Sequence, residues 1–388
     1  MMKKYLLFFL LISFFGLNAQ NLELSEKSEI SIITAGPGEE LYEKFGHSAI
    51  RIKDTSLNID DIYNYGIFDF KAPNFILNFT KGRLLYKLAK YPFHYFVRSN
   101  QKEKRWVKEQ VLNLNLEQNQ AFFEYLENNA KPENASYYYD PFFDNCATKL
   151  RDIITIILKD KVTFDDTYAS QKLTIRELMN REIHWNTWGS FGINLALGSK
   201  LDKEASASQY MYLPDYVYKA LNKGKKTDED LIKKEHSILN FKEPKTKLEI
   251  FNPFSFFSII ALIGIFITFI DVKKNKRSKW FDFILFFITG LIGLLIVFLW
   301  FFTNHSTTPN NFNFLWAFAP NLLLGFILLR NQQKIWVKKY VGLLLILLII
   351  IPIVWLFKVQ LLPTSIVPLL LLLFYRYMSL YKRLLTFK

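Results

Sequence analysis

The chain has 388 residues, 51% of them hydrophobic and 17% aromatic, and a formal net charge of +14. That charge is no polyanion footprint: from Pro253 onward fourteen Lys and Arg face only Asp271 and Asp282, Lys3 and Lys4 add to them, and the stretch between is close to neutral. Nucleic acid is excluded as the expected partner, and a lone cysteine, Cys146, excludes an internal disulfide framework.

Lys3 and Lys4 precede an apolar run over 5–17 and the small residue Ala19. This predicts a signal peptide over 1–19, with an uncleaved anchor as the alternative because Leu17 is large for its place. In either case the domain that follows, 20–250, is exported. It reads as α+β. A strand is expected over 29–34, Gly36-Pro37-Gly38 breaks it, and 39–45 follows as a two-turn helix. The segments 47–53 and 62–70 alternate as the strands of a hairpin around a polar loop. Helices are predicted over 106–112 and 117–129, the second capped by Asn115 with Gln118 three residues on. An aromatic turn, 137–141, then leads into an amphipathic helix with Cys146 in its first turn, and 223–244, rich in Lys, Asp and Glu, reads as a solvated connection.

Residues 251–388 carry apolar runs of spanning length over 253–270, 283–302, 314–329, 341–357 and 361–375, which predict an all-α bundle of about five transmembrane helices. Lys273 to Lys279, Arg330 to Lys339 and Arg376 to Lys388 are the basic clusters, whereas the alternate loops hold a single basic residue, Lys358. Five spans starting from an exported domain place every basic cluster in the cytoplasm, so topology and the positive-inside rule agree. Helical spans rather than barrel strands favour the inner (cytoplasmic) membrane, with the catalytic domain in the periplasm.

Cys146 is by its sequence a buried small hydrophobe, an intermolecular link or a reactive thiol. In the first turn of a helix it faces unpaired N–H groups and the positive end of the dipole, which favour thiolate. His47 opens a strand after Gly46, where its ring can reach across a cleft, and Asn64 on the partner strand can orient that ring. Backbone N–H groups at the start of the Cys146 helix, with the Asn145 side chain, are candidate oxyanion donors. His94 and His184 lie among aromatics and read as packing residues, and His236 reads as solvated. His305 sits in the polar exported loop Asn304-His305-Ser306-Thr307-Thr308, where a lipid head group or substrate would lie; a snorkelling interfacial residue is the plainer account. No metal-ligand spacing, phosphate-binding glycine loop or Gly-x-Ser-x-Gly elbow appears, so neither metal nor cofactor is expected.

Three stretches carry a resemblance: Phe45-Gly46-His47-Ser48-Ala49-Ile50-Arg51-Ile52, Tyr63-Asn64-Tyr65-Gly66-Ile67-Phe68-Asp69-Phe70, and the run from Tyr139 to Asp152 that contains Asp144-Asn145-Cys146-Ala147-Thr148. With Leu195-Ala196-Leu197-Gly198, Met211-Tyr212-Leu213-Pro214 and the multi-span tail, they resemble the Bacteroides-type lipoprotein N-acyltransferases, the Lnb family, over nearly the whole chain. The resemblance implies a permuted papain-like, NlpC-type exported domain whose His and Cys fall on His47 and Cys146; Asn64 as third residue rests on hairpin geometry alone. It also implies transfer of a fatty acyl chain from a membrane phospholipid, through a Cys thioester, to the N-terminal amine of a diacylated lipoprotein. The alternatives from other classes are a papain-like cysteine amidase or peptidase acting on cell-wall peptides, and a binding scaffold on a membrane anchor.

Overall fold

The computed structural model describes residues 22–69, 71–244 and 249–386, so the predicted signal peptide lies outside the described residues. Strands β1 (Ser28–Ala35), β2 (His47–Asp54) and β3 (Ile59–Ile67) run antiparallel, Ile32 opposite Ile50 and Ile50 opposite Tyr63. After β3 come α1 (Phe75–Thr80), β4 (Leu85–Pro92), α2 (Phe93–Lys102), β5 (Val107–Leu112), α3 (Leu116–Ala130), β6 (Ser136–Tyr138) and α4 (Cys146–Leu158). Helices α5 (Ile175–Glu182), α6 (Trp188–Ala196) and α7 (Pro214–Asn222) then lead to the last long strand, β7 (Ile232–Leu239). The resulting sheet has seven strands in the order β7-β5-β1-β2-β3-β4-β6.

Period-two patterning decides what each face buries. Ile30, Ile32, Ile50, Ile52, Tyr63 and Tyr65 point to one face, where Phe122 and Leu126 of α3 and Leu150, Ile153 and Ile154 of α4 cover them. Ile33, Ala35, Ala49 and Ile62 point to the other, against Phe93 and Phe96 of α2. With both faces covered, the small polar residues Ser31, Thr34 and Ser48 of β1 and β2 are buried along with the apolar ones. Helix α3 starts as expected, Asn115 accepting from the Gln118 N–H and the Gln118 side chain accepting from Asn115.

Three sequence expectations change in the exported half. The segment 39–45 forms a single 3-10 turn, Leu41–Glu43, rather than a two-turn helix. Residues 107–112 are strand β5, not helix: six residues are too few for apolar periodicity to separate the two, and pairing with β1 and β7 decides it. The charged stretch 223–244 is not merely a connection, because β7 within it forms an edge of the large sheet. Its lysines face solvent, which is how edge strands are kept from pairing with other chains and why composition alone suggests a linker.

In the second half, α8 (Pro253–Lys273), α9 (Lys279–Phe301), α10 (Asn321–Leu328), α11 (Ile335–Leu356) and α12 (Val367–Thr386) share one apolar core. Among the described residues four helices are long and apolar enough to cross a membrane. The third expected span, 314–329, is broken. A 3-10 turn, Phe312–Leu315, is followed by irregular backbone and then by the eight residues of α10. Pro320 disfavours helix at Ala319, while hydropathy sees only an unbroken apolar run. The break still connects the two ends of the bundle: Asn313 donates to Asn194 O on the periplasmic side, and Arg277 of the basic loop donates to Arg330 O. Its irregular backbone packs on α9, where a Cβ at Gly293 would lie 2.1 Å from Ala317 O, and the start of α10 does the same, 2.0 Å separating Leu322 N from a Cβ at Gly290. Non-helical backbone at membrane depth is tolerated where protein buries it in this way.

A polar seam joins the halves. Arg176 of α5, fully buried, pairs with Asp202 at 2.9 Å and donates to Asn194 Oδ1, Leu197 O and Gly198 O. Asp202 in turn accepts from Leu361 N at 2.9 Å, and Gln360 donates to Leu197 O. From the other side, Asn311 donates to Leu195 O and Ala196 O.

Candidate active site

The local sequence before Cys146 builds a rigid platform. Asp140 Oδ1 accepts from the N–H groups of Phe142 and Phe143, and Asp140 and Asp144 exchange backbone hydrogen bonds at 3.0 Å, closing the turn. Asn145 then caps α4: its Oδ1 accepts from Ala147 N at 2.9 Å and Thr148 N at 3.0 Å. Its Nδ2 donates to Pro141 O and to Tyr212 O, both at 2.8 Å. Both amide hydrogens are thus committed, which corrects the expectation that this side chain serves as an oxyanion donor. The Asn145 side chain ties the start of α4 to the turn before it and to Tyr212. The backbone N–H of Cys146, left over by that cap at the helix start, remains the candidate donor from this segment.

His47 and Asn64 come from the opposite face of the sheet. The β2–β3 register, continued from Ile50 opposite Tyr63, would put His47 across from Gly66 and diagonal to Asn64 on one face. The contact is made: His47 Nε2 and Asn64 Oδ1 lie 2.6 Å apart. Asn64 Nδ2 donates to Tyr91 OH at 2.8 Å, its amide oxygen facing the ring. Nε2 therefore carries the hydrogen, and Nδ1 is the nitrogen left to exchange a proton with the thiol. Phe96, with its ring centroid 6.4 Å from that of His47, backs the imidazole.

The strands end where the thiol begins. Gly66, at φ +92°, occupies a left-handed conformation in which a Cβ would meet Tyr139 at 3.5 Å and Cys146 Cβ at 3.9 Å. Glycine here admits both the backbone turn and the close approach of α4. Cys146 is 7% exposed. Burial pushes its thiol up, but the charge and hydrogen bond of His47, with the N–H groups of Ser48 and Ala147, outweigh this and hold it below the ordinary thiol value. For His47 burial pushes down, and the Cys146 thiolate with the hydrogen bonds of Cys146 and Asn64 raises it above the ordinary value. Each group favours the charged form of the other, the condition for a thiolate–imidazolium pair.

Reading residues in sequence missed Tyr137. It was legible only as part of an aromatic turn. Its hydroxyl is buried and makes no hydrogen bond, and it lies 3.9 Å from the position a Gly66 Cβ would take, as does Cys146 Cβ. Lys149 Nζ sits 4.6 Å from the centre of its ring and holds it in place. Period two in Tyr137-Tyr138-Tyr139, with Tyr138 exposed, is the signal that could have separated it from its neighbours.

His305 does not join this constellation. It packs at the end of α1, its ring 6.5 Å from that of Phe79 and its backbone 2.5 Å from where a Gly82 Cβ would be. Burial pushes its imidazole below the ordinary value, against the opposing pull of the Phe79 and Thr80 backbone and of Asp140. Next to it, Ser306 donates to Asp140 Oδ2, tying the loop of the membrane half to the turn that carries Cys146. Among the described residues no group of three or more His, Cys, Asp or Glu is arranged to hold a metal ion.

A capped helix presenting an activated thiol, joined to a helical membrane bundle, defines a membrane-anchored domain with a candidate cysteine nucleophile. Residues 20–181 match the family model of the Lnb N-terminal periplasmic domain, and residues 245–386 match that of the Lnb transmembrane domain. The chain belongs to the Lnb family. It is a multi-pass, lipoprotein-modifying membrane protein with a periplasmic domain. No curated protein and no solved structure matches the chain.

Proposed function

We propose that this protein is an apolipoprotein N-acyltransferase of the periplasmic face of the inner membrane, with Cys146 as nucleophile, His47 as proton carrier and Asn64 as the residue that orients His47. The observation that carries the reading is the mutual stabilisation of Cys146 and His47 at the start of α4, in a domain joined through a polar seam to a membrane bundle. A papain-like arrangement of this kind needs neither metal nor nucleotide for acyl transfer.

The thiolate of Cys146 attacks the ester carbonyl of a membrane glycerophospholipid. As the C–S bond forms and the C–O bond breaks, His47 gives its proton to the departing lysophospholipid oxygen, leaving a thioester. The neutral N-terminal amine of a diacylated lipoprotein then attacks the thioester carbonyl. Its proton passes to His47, the C–S bond breaks, and the thiolate–imidazolium pair returns. In both steps the carbonyl oxygen becomes an oxyanion, for which the Cys146 N–H and the Tyr137 O–H are the candidate donors. Both substrates reside in the bilayer, and a catalytic domain fixed to the bundle meets them at high effective concentration.

The test is mass spectrometry of a lipoprotein's N-terminal peptide from cells lacking other N-acyltransferases. Wild type is expected to add a third acyl chain, and Cys146→Ser to lose this activity by about 10³-fold or more, the scale on which losing a covalent nucleophile acts. A peptide that stays diacylated with wild type would refute the proposal and point to water as acceptor, as in a cell-wall amidase.

A further inference from the structure

Helix α1 is built unlike the rest of the periplasmic half. Its six residues, Phe75–Thr80, contain no charge, and Ile76, Leu77 and Phe79 are 79%, 50% and 49% exposed. The chain on either side is basic, with Lys71, Lys81, Arg83 and Lys87 against a single carboxylate, Asp69. An uncharged tip with a basic rim is the composition of an element that lies in a membrane interface with cations at the phosphate level.

Its place in the fold agrees. The loop after α9 is fastened to the end of α1, Asn304 donating to Lys81 O at 2.8 Å. Phe301 and Phe302, at the outer end of that membrane helix, are 65% and 70% exposed, so the apolar tip continues the lipid-facing surface of the bundle. From α1 a ladder of rings leads inward: Phe75 stacks on Phe68 at 6.0 Å, Phe68 on Tyr86 at 4.9 Å, and Tyr86 on Tyr139 at 4.4 Å. Tyr139 is the ring beside Gly66 and hence beside Cys146.

We infer that α1 is embedded in the outer leaflet of the inner membrane, and that the donor phospholipid enters between its tip and the bundle, its ester guided to Cys146 along the Phe75, Phe68, Tyr86 and Tyr139 rings. The rim cations face the phosphate of that lipid. This assignment of the donor's route rests on the acyl-transfer reading; the membrane insertion of α1 does not.

The first measurement is of depth. In full-length Cys146→Ser protein in phosphatidylglycerol-containing nanodiscs, an environment-sensitive fluorophore is attached at Ile76→Cys or, as control, at Ser56→Cys in the turn at the far end of the β2–β3 hairpin. The Ile76 label is expected to emit to the blue and to be quenched when brominated phospholipid replaces ordinary lipid, the Ser56 label to do neither. A solvent-like, unquenched Ile76 label overturns the inference and leaves the acyl-transfer reading untouched. The second measurement is acyl transfer in cells by Ile76→Asp/Phe79→Asp, expected to fall about tenfold or more because charges are expelled from the interface. Alkylation of Cys146 by a soluble reagent checks that this variant is folded. Transfer at the wild-type rate overturns the route. A quenched Ile76 label together with a lipoprotein that wild type leaves diacylated would uphold the insertion of α1 and refute the acyl-transfer reading instead.

Discussion

Two charge pairs in this molecule have opposite designs. Arg176 and Asp202 meet at 2.9 Å, and around them Asn194, Leu197, Gly198 and Leu361 supply further partners to both groups. Cys146, buried, and His47, half-buried, also favour each other's charge, but a hydroxyl beside them, Tyr137, has no hydrogen-bond partner, and a glycine lies against the Cys146 side chain. A saturated ion pair holds structure together, since any change leaves a charge stranded. A pair with donors to spare has capacity for a charge that appears only during reaction.

The largest expected effect separates the two pairs by removing a base. In His47→Gln the stabilising charge is gone while burial remains, so the Cys146 titration moves to higher pH. The wild-type thiolate persists down to its lowered value and is lost as pH falls through it; the variant's is already lost at neutral pH. Alkylation by an uncharged reagent, followed against pH, is expected to shift upward, and acyl transfer to fall about 10⁴-fold, the upper end for losing acid–base help. An unshifted alkylation profile would mean that His47 and Cys146 do not form a pair.

Arg176→Met acts on the other pair and tests the opposite property. It leaves Asp202 buried without its cation, at an expected cost of about 3–5 kcal/mol. The readout is the thermal unfolding midpoint in detergent. Adding Asp202→Leu should recover much of the loss, because a matched apolar pair no longer strands a charge. Failure of the second change to recover any stability would place the role of Arg176 in its carbonyl contacts instead.

How much of this was legible depends on whether the determinant is local. Asn115 with Gln118 signals a helix start within four residues, and the Cys146 helix, the β2–β3 hairpin and the pairing of His47 with Asn64 follow from short-range pattern. The strand β5 and the edge strand β7 are decided by distant partners, β1 for β5 and, more than a hundred residues apart, β5 and β7 for each other, which no window along the chain contains. The broken third span shows the same limit in the membrane: hydropathy registers 314–329 as apolar and is blind to the one residue, Pro320, that interrupts it. Asn145 was seen as a polar group near the thiol, but that both its amide hydrogens are taken by Pro141 and Tyr212 is a tertiary fact. Tyr137 needs the fold as well, because what marks it out is a buried hydroxyl left without a hydrogen-bond partner close to Gly66, which only the packed structure shows.

Tyr137→Phe gives the smallest expected effect and the sharpest form of the contrast. A buried hydroxyl that makes no hydrogen bond contributes nothing to folding through that group, and replacing it with hydrogen relieves the cost of keeping it from water. The Phe variant should therefore unfold at the same temperature as wild type or slightly higher. If the hydroxyl donates to the oxyanion, acyl transfer should nevertheless fall about 10²-fold, the usual loss for one such donor. Alkylation of Cys146 should keep its pH profile, since the thiolate depends on His47 and not on Tyr137. A variant that is more stable, alkylates normally and transfers slowly would separate catalytic from structural use of a buried polar group within one residue; one that loses stability and rate together would make Tyr137 a packing residue of the same kind as Arg176.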